Sequence, residues 1–459
     1  MTVAQMDNKD TDTNRGTGQR TVEFCPADSA IYPRCTMQLY YHNKENHPGF
    51  MEFGVLKESL YQTLRNCMPI ALATEMKRTS SGGLTAVVHE NPEYPQITRH
   101  EDREHSVAGM EAAGYSAESQ PQALVGCAVM ANPLAGDALV VVDVVYMMDG
   151  VGLSFAMSHA LLDIVSLVMV SREWGCLARA MYLGTTPGEH QRMQQKPLDT
   201  NREIFWQRVS ADKPAESLKI MQHLDQRWKT EQASPGEIVG IMAPVLPLYR
   251  IRISAKSVEA LKNARPAEYR DISVSALLAA AMWQAHTQAN ADCQHTYLGL
   301  SLTVRTDKRF AEFCGNTAAM DYMHDDPAHI NSMGIYDVAR VVQRRIRGFT
   351  NGDFAQVVQN YSDVAFVEKL QRLILDDRRG QAMIAVVMIS RLPCYDVDFG
   401  YGRPCKLMFA KGMTADRFCF MVPESPQGGI EVYVRISKKC IELMEKSDLL
   451  SGHIEAVEY

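Results

Sequence analysis

The sequence lacks the cysteine spacing of metal and redox sites. Its eleven cysteines are scattered, no Cys-x-x-Cys occurs, and the closest pairs are Cys25/Cys35 and Cys394/Cys405. This spacing excludes zinc ribbons and thioredoxin-type motifs, so we expect no metal site. Scattered cysteines are typical of free thiols in a reducing compartment, which predicts a cytoplasmic protein.

An excess of positive charge and a long apolar run are also missing. The chain has 47 Lys and Arg against 54 Asp and Glu, a formal net charge of -7, which argues against nucleic acid as a partner. No uncharged apolar run is long enough to span a bilayer. Residues 1–21 are polar and lack the apolar core of a signal peptide. We therefore expect a disordered N-terminus over 1–21 and no membrane span.

The motifs of several enzyme classes are absent as well. The sequence contains no Gly-x-Ser-x-Gly nucleophile elbow, no Walker loop and no Gly-x-Gly-x-x-Gly. The triplet Asp398-Phe399-Gly400 matches a kinase motif, but no His-Arg-Asp loop precedes it. These absences exclude the common hydrolases, nucleotide-binding folds and kinases.

The length and the hydrophobic patterns predict two mixed domains. At 459 residues the chain exceeds one ordinary core. The polar segment with repeated Pro and Gly between the halves predicts an N-terminal half over 22–184, a crossover linker over 185–244 and a C-terminal half over 245–459. Apolar spacing predicts helices over 54–68, 161–177, 254–263, 273–289 and 335–350 and after residue 436. It predicts strands over 82–88, 124–130, 138–147, 151–157, 248–253, 297–304, 383–389 and 428–436, with 98–105 as a loop. Both halves therefore mix helices with sheets, an α/β (α+β) organisation.

A predicted hairpin delivers the most informative pair of residues. Strands 138–147 and 151–157 are joined by a turn and lead to His159, which begins the only His-x-x-x-Asp of the chain. The spacing alone is expected about once by chance. A lone histidine at a strand end is more often structural, but a buried hairpin rim provides the shielding that a general base needs. Asp163 lies one helical turn away, so both an orienting contact and a structural salt bridge remain open.

A second motif lies near the C-terminus, in Ser390-Arg-Leu-Pro-Cys-Tyr-Asp-Val-Asp-Phe-Gly-Tyr-Gly-Arg-Pro404. With this motif and the earlier His-x-x-x-Asp in order, the chain resembles the BAHD acyltransferases, which carry His-x-x-x-Asp near the middle and Asp-Phe-Gly-Trp-Gly near the C-terminus. The resemblance covers nearly the whole chain from about residue 22. Its further segments are Leu56–Lys77, Tyr249–Lys262, Ser273–Trp283, Gly315-Asn316 and Gly428–Ile436.

The resemblance implies an architecture and a reaction. It implies two chloramphenicol-acetyltransferase-like domains with mixed sheets and a channel between them, which acyl-CoA and the acceptor enter from opposite sides. His159 is then the base that removes a proton from the acceptor. Asp163 points away from the substrate and pairs with an arginine of the second domain, for which Arg305 is the matching candidate.

The resemblance also implies supporting residues. Asp398, Gly400 and Gly402 shape a loop away from the chemistry. Ser273, at a helix start, is expected to contact CoA, and Lys256 to approach a CoA phosphate. The cofactor-binding set also includes Asn316. Exposed serines and lysines are more often helix caps and solvated charges, and that interpretation stays open.

Three departures distinguish this chain from most of the family. Tyr401 replaces the usual Trp, and Thr303 replaces the usual Asp before Arg305. The segment Val387-Met388-Ile389 replaces a common Thr-Ser-Trp, so oxyanion stabilisation must come from elsewhere, with backbone amides as candidates. Divergent fungal members, including the trichothecene acetyltransferases, tolerate such changes, which favours a fungal biosynthetic enzyme.

The sequence therefore predicts a monomeric acyl-CoA-dependent O-acyltransferase that acts on a hydroxyl of a hydrophobic small molecule. Acetyl-CoA is the expected cosubstrate, and no cofactor is expected to remain bound. Two alternatives stay open. One is N-acylation of an amine, because the same base serves either nucleophile; the other is a fold-mate that binds or rearranges metabolites without CoA.

Overall fold

The computed structural model describes residues 19–23, 34–73, 75–78, 84–125, 136–185, 245–303, 305, 311–349, 381–409 and 416–459. Nearly all of the predicted disordered N-terminus and of the predicted crossover linker lies outside the described residues. The domain boundaries proposed from the sequence therefore remain predictions.

The helices confirm the apolar spacing of the sequence. They are α1 (Phe53–Cys67), α2 (Val107–Ala112), α3 (Gln122–Val125), α4 (Ile164–Leu183), α5 (Ala255–Asn263), α6 (Val274–Ala289), α7 (Pro327–Ser332), α8 (Ile335–Gly348) and α9 (Lys438–Glu445). Short 3₁₀ turns cover Pro69–Leu72, Ala117–Ser119, Ala267–Tyr269 and Cys394–Asp396. Ser254 and Ser273 cap α5 and α6, because their hydroxyls accept main-chain N–H groups of the first turn.

Strands occupy most of the segments predicted to be extended. They are β1 (Gln19–Glu23), β2 (Arg34–His42), β3 (Glu75–Arg78), β4 (Leu84–His89), β5 (Gln96–Glu101), β6 (Val140–Met147), β7 (Gly150–Ser158), β8 (Leu248–Ile253), β9 (His295–Thr303), β10 (Ala318–Asp325), β11 (Gln381–Met388), β12 (Lys406–Met408), β13 (Phe418–Pro423), β14 (Ile430–Arg435) and β15 (Glu455–Glu458). The predicted hairpin is present, since β6 and β7 pair antiparallel with Met147 opposite Gly150.

Two large mixed sheets organise the described chain. A five-stranded sheet has the order β12-β2-β7-β6-β5, and only its β6/β5 pair is parallel. A seven-stranded sheet has the order β10-β9-β11-β13-β14-β8-β15, in which β11 runs parallel to both neighbours. A small antiparallel sheet joins β1, β4 and β3. The predicted mixed α/β class is confirmed.

Each large sheet packs against helices through a separate core. Helices α1 and α4 cover the five-stranded sheet, where Trp174 and Phe155 are fully buried. Helix α6 is buried on nearly all faces, and Trp283 on it packs into the core of the seven-stranded sheet. A helix buried on all sides needs no polar face, which explains the apolar run that begins at Val274.

The first core is not built from the N-terminal half alone. Strand β12 adds to the open edge of β2, with Leu407 opposite Leu39. Phe399 also belongs to this core and makes edge-on ring contacts with Tyr41 and Trp174. A segment from the C-terminal part of the chain thus completes the five-stranded sheet and its core.

Two sequence predictions were wrong. Residues 98–105 were expected to form a loop, yet Gln96–Glu101 forms β5, which pairs with β6 in parallel. An edge strand exposes most side chains, so its charged composition hid it. The start of the strand predicted over 124–130 is helical, because a short apolar run does not distinguish a strand from a helix. Residues 126–130 lie outside the described residues.

No helix within the described ranges is both long and apolar enough to cross a membrane.

Candidate active site

The hairpin of β6 and β7 fixes the position of His159. The residue follows the last residue of β7, where Ser158 N–H donates to Leu139 O at 2.8 Å. The chain then turns, with Leu161 N–H donating to Ser158 O at 2.9 Å. Helix α4 begins five residues after His159, so the imidazole lies in a short turn between two rigid elements.

The two ring nitrogens of His159 differ, because one is buried and the other remains available to a substrate. Its Nδ1 is buried and has no hydrogen-bond partner among the described residues other than the backbone of His159 itself. The residue as a whole is only half-buried, so Nε2 is the ring nitrogen left for a substrate. Burial lowers the pKa of His159, and the opposing effects of its own main-chain carbonyl and of Asp163 do not reverse this. The imidazole is therefore neutral at neutral pH, as a general base must be.

Asp163 has the opposite character, because it is buried and both of its carboxylate oxygens accept hydrogen bonds. Its Oδ1 caps α4 by accepting Ser166 N–H at 3.0 Å. Its Oδ2 accepts Arg305 Nη1 at 2.6 Å, Thr317 N–H at 2.9 Å and the Thr317 hydroxyl at 3.1 Å. Burial raises the pKa of the Asp163 carboxyl, but the Arg305 guanidinium and these hydrogen bonds outweigh it, so the pKa is lowered. Because Asp163 takes the cap, α4 begins three residues later than predicted.

Arg305 joins three segments of the chain. Besides Asp163, it donates through Nη2 to Ser166 Oγ at 2.6 Å and to the main-chain oxygens of Gly315 and Phe313 at 2.9 and 3.1 Å. The ion pair that the resemblance implied between Asp163 and Arg305 is present, with both side chains buried. It ties the turn after β7 to the segment that leads into β10.

The loop that contains Asp398 packs against the C-terminal half of α4. Asp398 Oδ1 accepts the N–H groups of Gly400 and Gly402 at 2.8 and 2.9 Å, and Oδ2 accepts Arg179 Nη1 at 3.2 Å. Both glycines have positive φ angles, +101° and +94°, which other residues rarely adopt. The loop also approaches α4 closely, since a Cβ on Gly175 would lie 2.9 Å from Asp398 O.

The predicted CoA residues lie at three separate places. Ser273 and Lys256 are in or next to the first turns of α6 and α5, where the Ser273 hydroxyl accepts Ala276 N–H at 3.1 Å and Lys256 is exposed. Asn316 is different, because it is 1% exposed and adjoins Thr317, which bonds Asp163. Its Nδ2 is buried without a partner among the described residues. The structure thus brings Asn316, but not the other two, into contact with the segments that surround Asp163.

Sequence reasoning missed two residues of this cluster. Ser166 bonds Arg305 and also accepts Gly315 N–H at 2.9 Å, and Thr317 bonds Asp163 through both its N–H and its hydroxyl. Asp is a favoured N-cap residue, and a helix capped by Asp163 would have placed Ser166 in its first turn. No local signal pointed to Thr317, because its partner is 154 residues away.

Comparison with known families agrees with this geometry. A family model described as Transferase family matches residues 108–449, three quarters of the chain. The chain belongs to this family, the BAHD acyltransferases. The mixed α/β fold of the described residues is therefore that of a BAHD acyltransferase, as the resemblance predicted.

Solved structures share the fold over nearly the whole of this BAHD chain. TRI101 of F. graminearum complexed with ethyl coenzyme A has a TM-score of 0.69 at 12% identity, covering 95% of this chain and 99% of that chain. TRI101 of F. sporotrichioides complexed with coenzyme A and T-2 has a TM-score of 0.68 at 15% identity, with the same coverage. Vinorine synthase has a TM-score of 0.56 at 14% identity, covering 92% of this chain and 91% of that chain. A search of curated protein sequences gave no match.

Proposed function

We propose that this acyltransferase transfers an acyl group, with acetyl expected, from acyl-CoA to a hydroxyl of a small molecule, and that His159 is the general base. The observation that carries the proposal is the contrast at the turn after β7. There, a neutral imidazole with an open Nε2 lies four residues from a carboxylate whose two oxygens accept hydrogen bonds from other residues.

The chemistry follows from the neutral ring. His159 Nε2 accepts the proton of the acceptor hydroxyl as its oxygen attacks the thioester carbonyl carbon. The carbon–sulfur bond then breaks, and the imidazolium returns the proton to the thiolate of CoA. The products are an ester and free CoA, and the base is regenerated. A base in this position contributes about 10²- to 10⁴-fold to the rate.

Asp163 serves as a positioning residue in this scheme. Its carboxylate accepts hydrogen bonds from Arg305, Thr317 and the first turn of α4, and among the described residues it makes none with His159. It fixes the turn that carries the base. Arg305, Asp398, Gly400 and Gly402 support the same frame.

The relatives support CoA as the cosubstrate. TRI101 has been crystallised with coenzyme A together with T-2 or deoxynivalenol, so that fold accommodates an acyl carrier and a small-molecule acceptor together. We keep Ser273, Lys256 and Asn316 as the proposed CoA contacts, and propose that the enzyme acts as a cytoplasmic monomer on a secondary metabolite.

The test is release of CoA thiol from acetyl-CoA in the presence of a panel of small alcohols and amines, with wild type and His159→Ala. A matched control is His329→Ala, which removes an exposed imidazole that pairs with Asp325 on the surface. The proposal expects thiol release with alcohols that falls at least 100-fold in His159→Ala and is unchanged in the control. Equal rates for wild type and His159→Ala would overturn it. Turnover of amines alone would favour N-acylation, and no thiol release with any acceptor would favour the fold-mate that works without CoA.

A further inference from the structure

Two threonine hydroxyls lie beside the buried ion pair of Asp163 and Arg305. Thr303 ends β9 and Thr317 precedes β10, and the pairing of these strands brings the two hydroxyl oxygens to 2.9 Å. Thr317 Oγ1 also accepts a hydrogen bond from Arg305 Nη1 and donates one to Asp163 Oδ2 at 3.1 Å. One hydroxyl oxygen therefore contacts three side chains of the cluster.

The direction of each of these hydrogen bonds follows from the number of protons. A threonine hydroxyl has one proton to donate and two lone pairs that accept. Asp163, whose pKa is lowered, is a carboxylate that can only accept, so Thr317 donates its one proton to Asp163. Thr303 must then donate to Thr317, while Thr303 Oγ1 accepts the main-chain N–H of Arg305 at 3.3 Å. We call Thr303 and Thr317, bonded in this order toward Asp163, the hydroxyl chain.

Local packing does not require a hydroxyl at Thr317. Valine has nearly the shape of threonine and suits the end of a strand equally well. Thr317 is fully buried, where a hydroxyl loses its hydration and must be bonded to compensate. Thr303 replaces the Asp that is usual before Arg305, and a carboxylate at that position could not donate a proton to Thr317. The two threonines therefore act as a pair.

The hydroxyl chain acts on one end of the turn that carries His159. The other end is fixed by the sheet, since Ser158 N–H donates to the main-chain oxygen of the residue before β6 at 2.8 Å. At the near end, Thr317 holds Asp163 Oδ2 through its N–H at 2.9 Å and its hydroxyl at 3.1 Å. Only three residues separate His159 from Asp163. A displaced Asp163 carboxylate would therefore move the imidazole.

We propose that Thr317 and Thr303 are positioning residues of the acyl transfer. Thr317 fixes, through Asp163, the turn that carries the base, and Thr303 orients the Thr317 hydroxyl. This inference rests on the proposed function, because it assigns both threonines to the reaction in which His159 is the base. Since Thr303 acts through Thr317, its hydroxyl has no effect once the Thr317 hydroxyl is absent.

The first test measures thiol release from acetyl-CoA with the best alcohol of the panel, at a temperature where every variant is folded. Thr317→Val removes the hydroxyl and keeps the shape, whereas Thr317→Ser keeps the hydroxyl. We expect kcat of Thr317→Val to fall about tenfold, because a slightly misplaced base affects the transition state. The KM for acetyl-CoA should not change, because the base does not bind CoA. Thr317→Ser should stay within about twofold of wild type.

A double variant tests the order of the hydroxyl chain. Thr303→Val alone should lower kcat about threefold, and Thr303→Val with Thr317→Val should be no worse than Thr317→Val alone. The matched control is Thr287→Val in α6, which removes an equally buried hydroxyl from a second threonine pair. Thr287 Oγ1 is 2.6 Å from Thr296 Oγ1 and donates to Trp283 O at 2.8 Å. This control should unfold at a lower temperature than wild type and keep the wild-type kcat.

Three results would overturn the inference: a wild-type kcat in Thr317→Val, a Thr317→Ser as slow as Thr317→Val, or losses of kcat that multiply in the double variant. No thiol release by wild type would instead count against the proposed function. In that case, the imidazole NMR resonances of His159, assigned by their absence in His159→Ala, decide the inference. They should shift in Thr317→Val and not in Thr287→Val, and the inference fails if they are unchanged in both.

Discussion

His159 and Asp163 are four residues apart and have opposite hydrogen-bonding environments. Asp163 accepts hydrogen bonds from Ser166, Arg305 and Thr317, whereas His159 Nδ1 has no partner among the described residues other than its own backbone. Both are near the same turn, so burial alone does not explain the difference. The Asp163 carboxylate fixes the backbone through its hydrogen bonds. The His159 imidazole remains available for a proton. The contrast supports the proposal that Asp163 positions the turn and that His159 is the base.

The largest expected effect is the loss of kcat/KM when His159 is replaced. His159→Gln keeps a polar side chain of similar length but removes the base, so kcat/KM should fall by about 10²- to 10⁴-fold. Stability should hardly change, because among the described residues Nδ1 has no partner in another residue to lose. Thiol-release kinetics and thermal unfolding check both parts. A large drop in Tm with little loss of activity would reverse the roles assigned to the two residues.

The second effect is the loss of stability when the buried Asp163–Arg305 ion pair is broken. Asp163→Ala leaves the buried Arg305 guanidinium without its carboxylate, which should lower the free energy of unfolding by about 3–5 kcal/mol. The double variant Asp163→Leu with Arg305→Met removes both charges and should recover much of that loss. Urea unfolding measures both. If Asp163→Ala instead left stability intact and abolished turnover, an orienting contact to His159 would be the better interpretation.

A smaller effect is expected at the Asp398 loop, which packs against the C-terminal half of α4, whereas His159 precedes the N-terminus of that helix. Gly400→Ala and Gly402→Ala both introduce a Cβ at positive φ, which costs about 1–3 kcal/mol of stability. Only Gly400 also has a neighbour, Arg179, at 3.4 Å, so its variant should be the less stable. Chemical unfolding ranks the pair. A clear loss of kcat/KM at a temperature where both variants remain folded would place the loop in the active site.

The smallest effect is a displacement of the pH profile. Because burial lowers the pKa of His159, the neutral base persists below the ordinary value of about 6.5. Activity should therefore be constant above that pH and decline only as the pH falls through the lowered pKa. The dependence of kcat/KM on pH checks this within the range where the protein stays folded. An acid limb centred above pH 6.5 would indicate a protonated, stabilised imidazole instead.

The sequence predicted regular elements well where the pattern was local. The hairpin before His159, the caps Ser254 and Ser273, and the buried helix α6 all follow from neighbouring residues. The sequence did not predict strands that form only because they pair with another strand of the sheet. Strand β5 has an exposed, charged sequence and exists because β6 is beside it. Strand β12 has only three residues, too few for any period.

The same limit applied to the candidate site. His159 and Asp163 carry a spacing signal, and Arg305 followed from the family resemblance. Thr317, which completes the bonding of Asp163, has no pattern of its own. Strand β2, which pairs with β7 just before His159, was not predicted from the sequence either. Tertiary packing decides which buried polar groups find a hydrogen-bond partner, and local sequence patterns do not reveal it.

Strand β12 has a consequence for the synthesis of the chain. Strand β2 pairs with β7 on one side and with Lys406–Met408 on the other. A ribosome must therefore add more than 360 residues after β2 before that edge is covered. Until then, the nascent N-terminal half presents an unpaired strand, the feature by which chains associate edge to edge. The halves should not be separable: a fragment that ends in the polar segment after α4 is expected to aggregate, and expressing residues 245–459 alongside it supplies the missing strand.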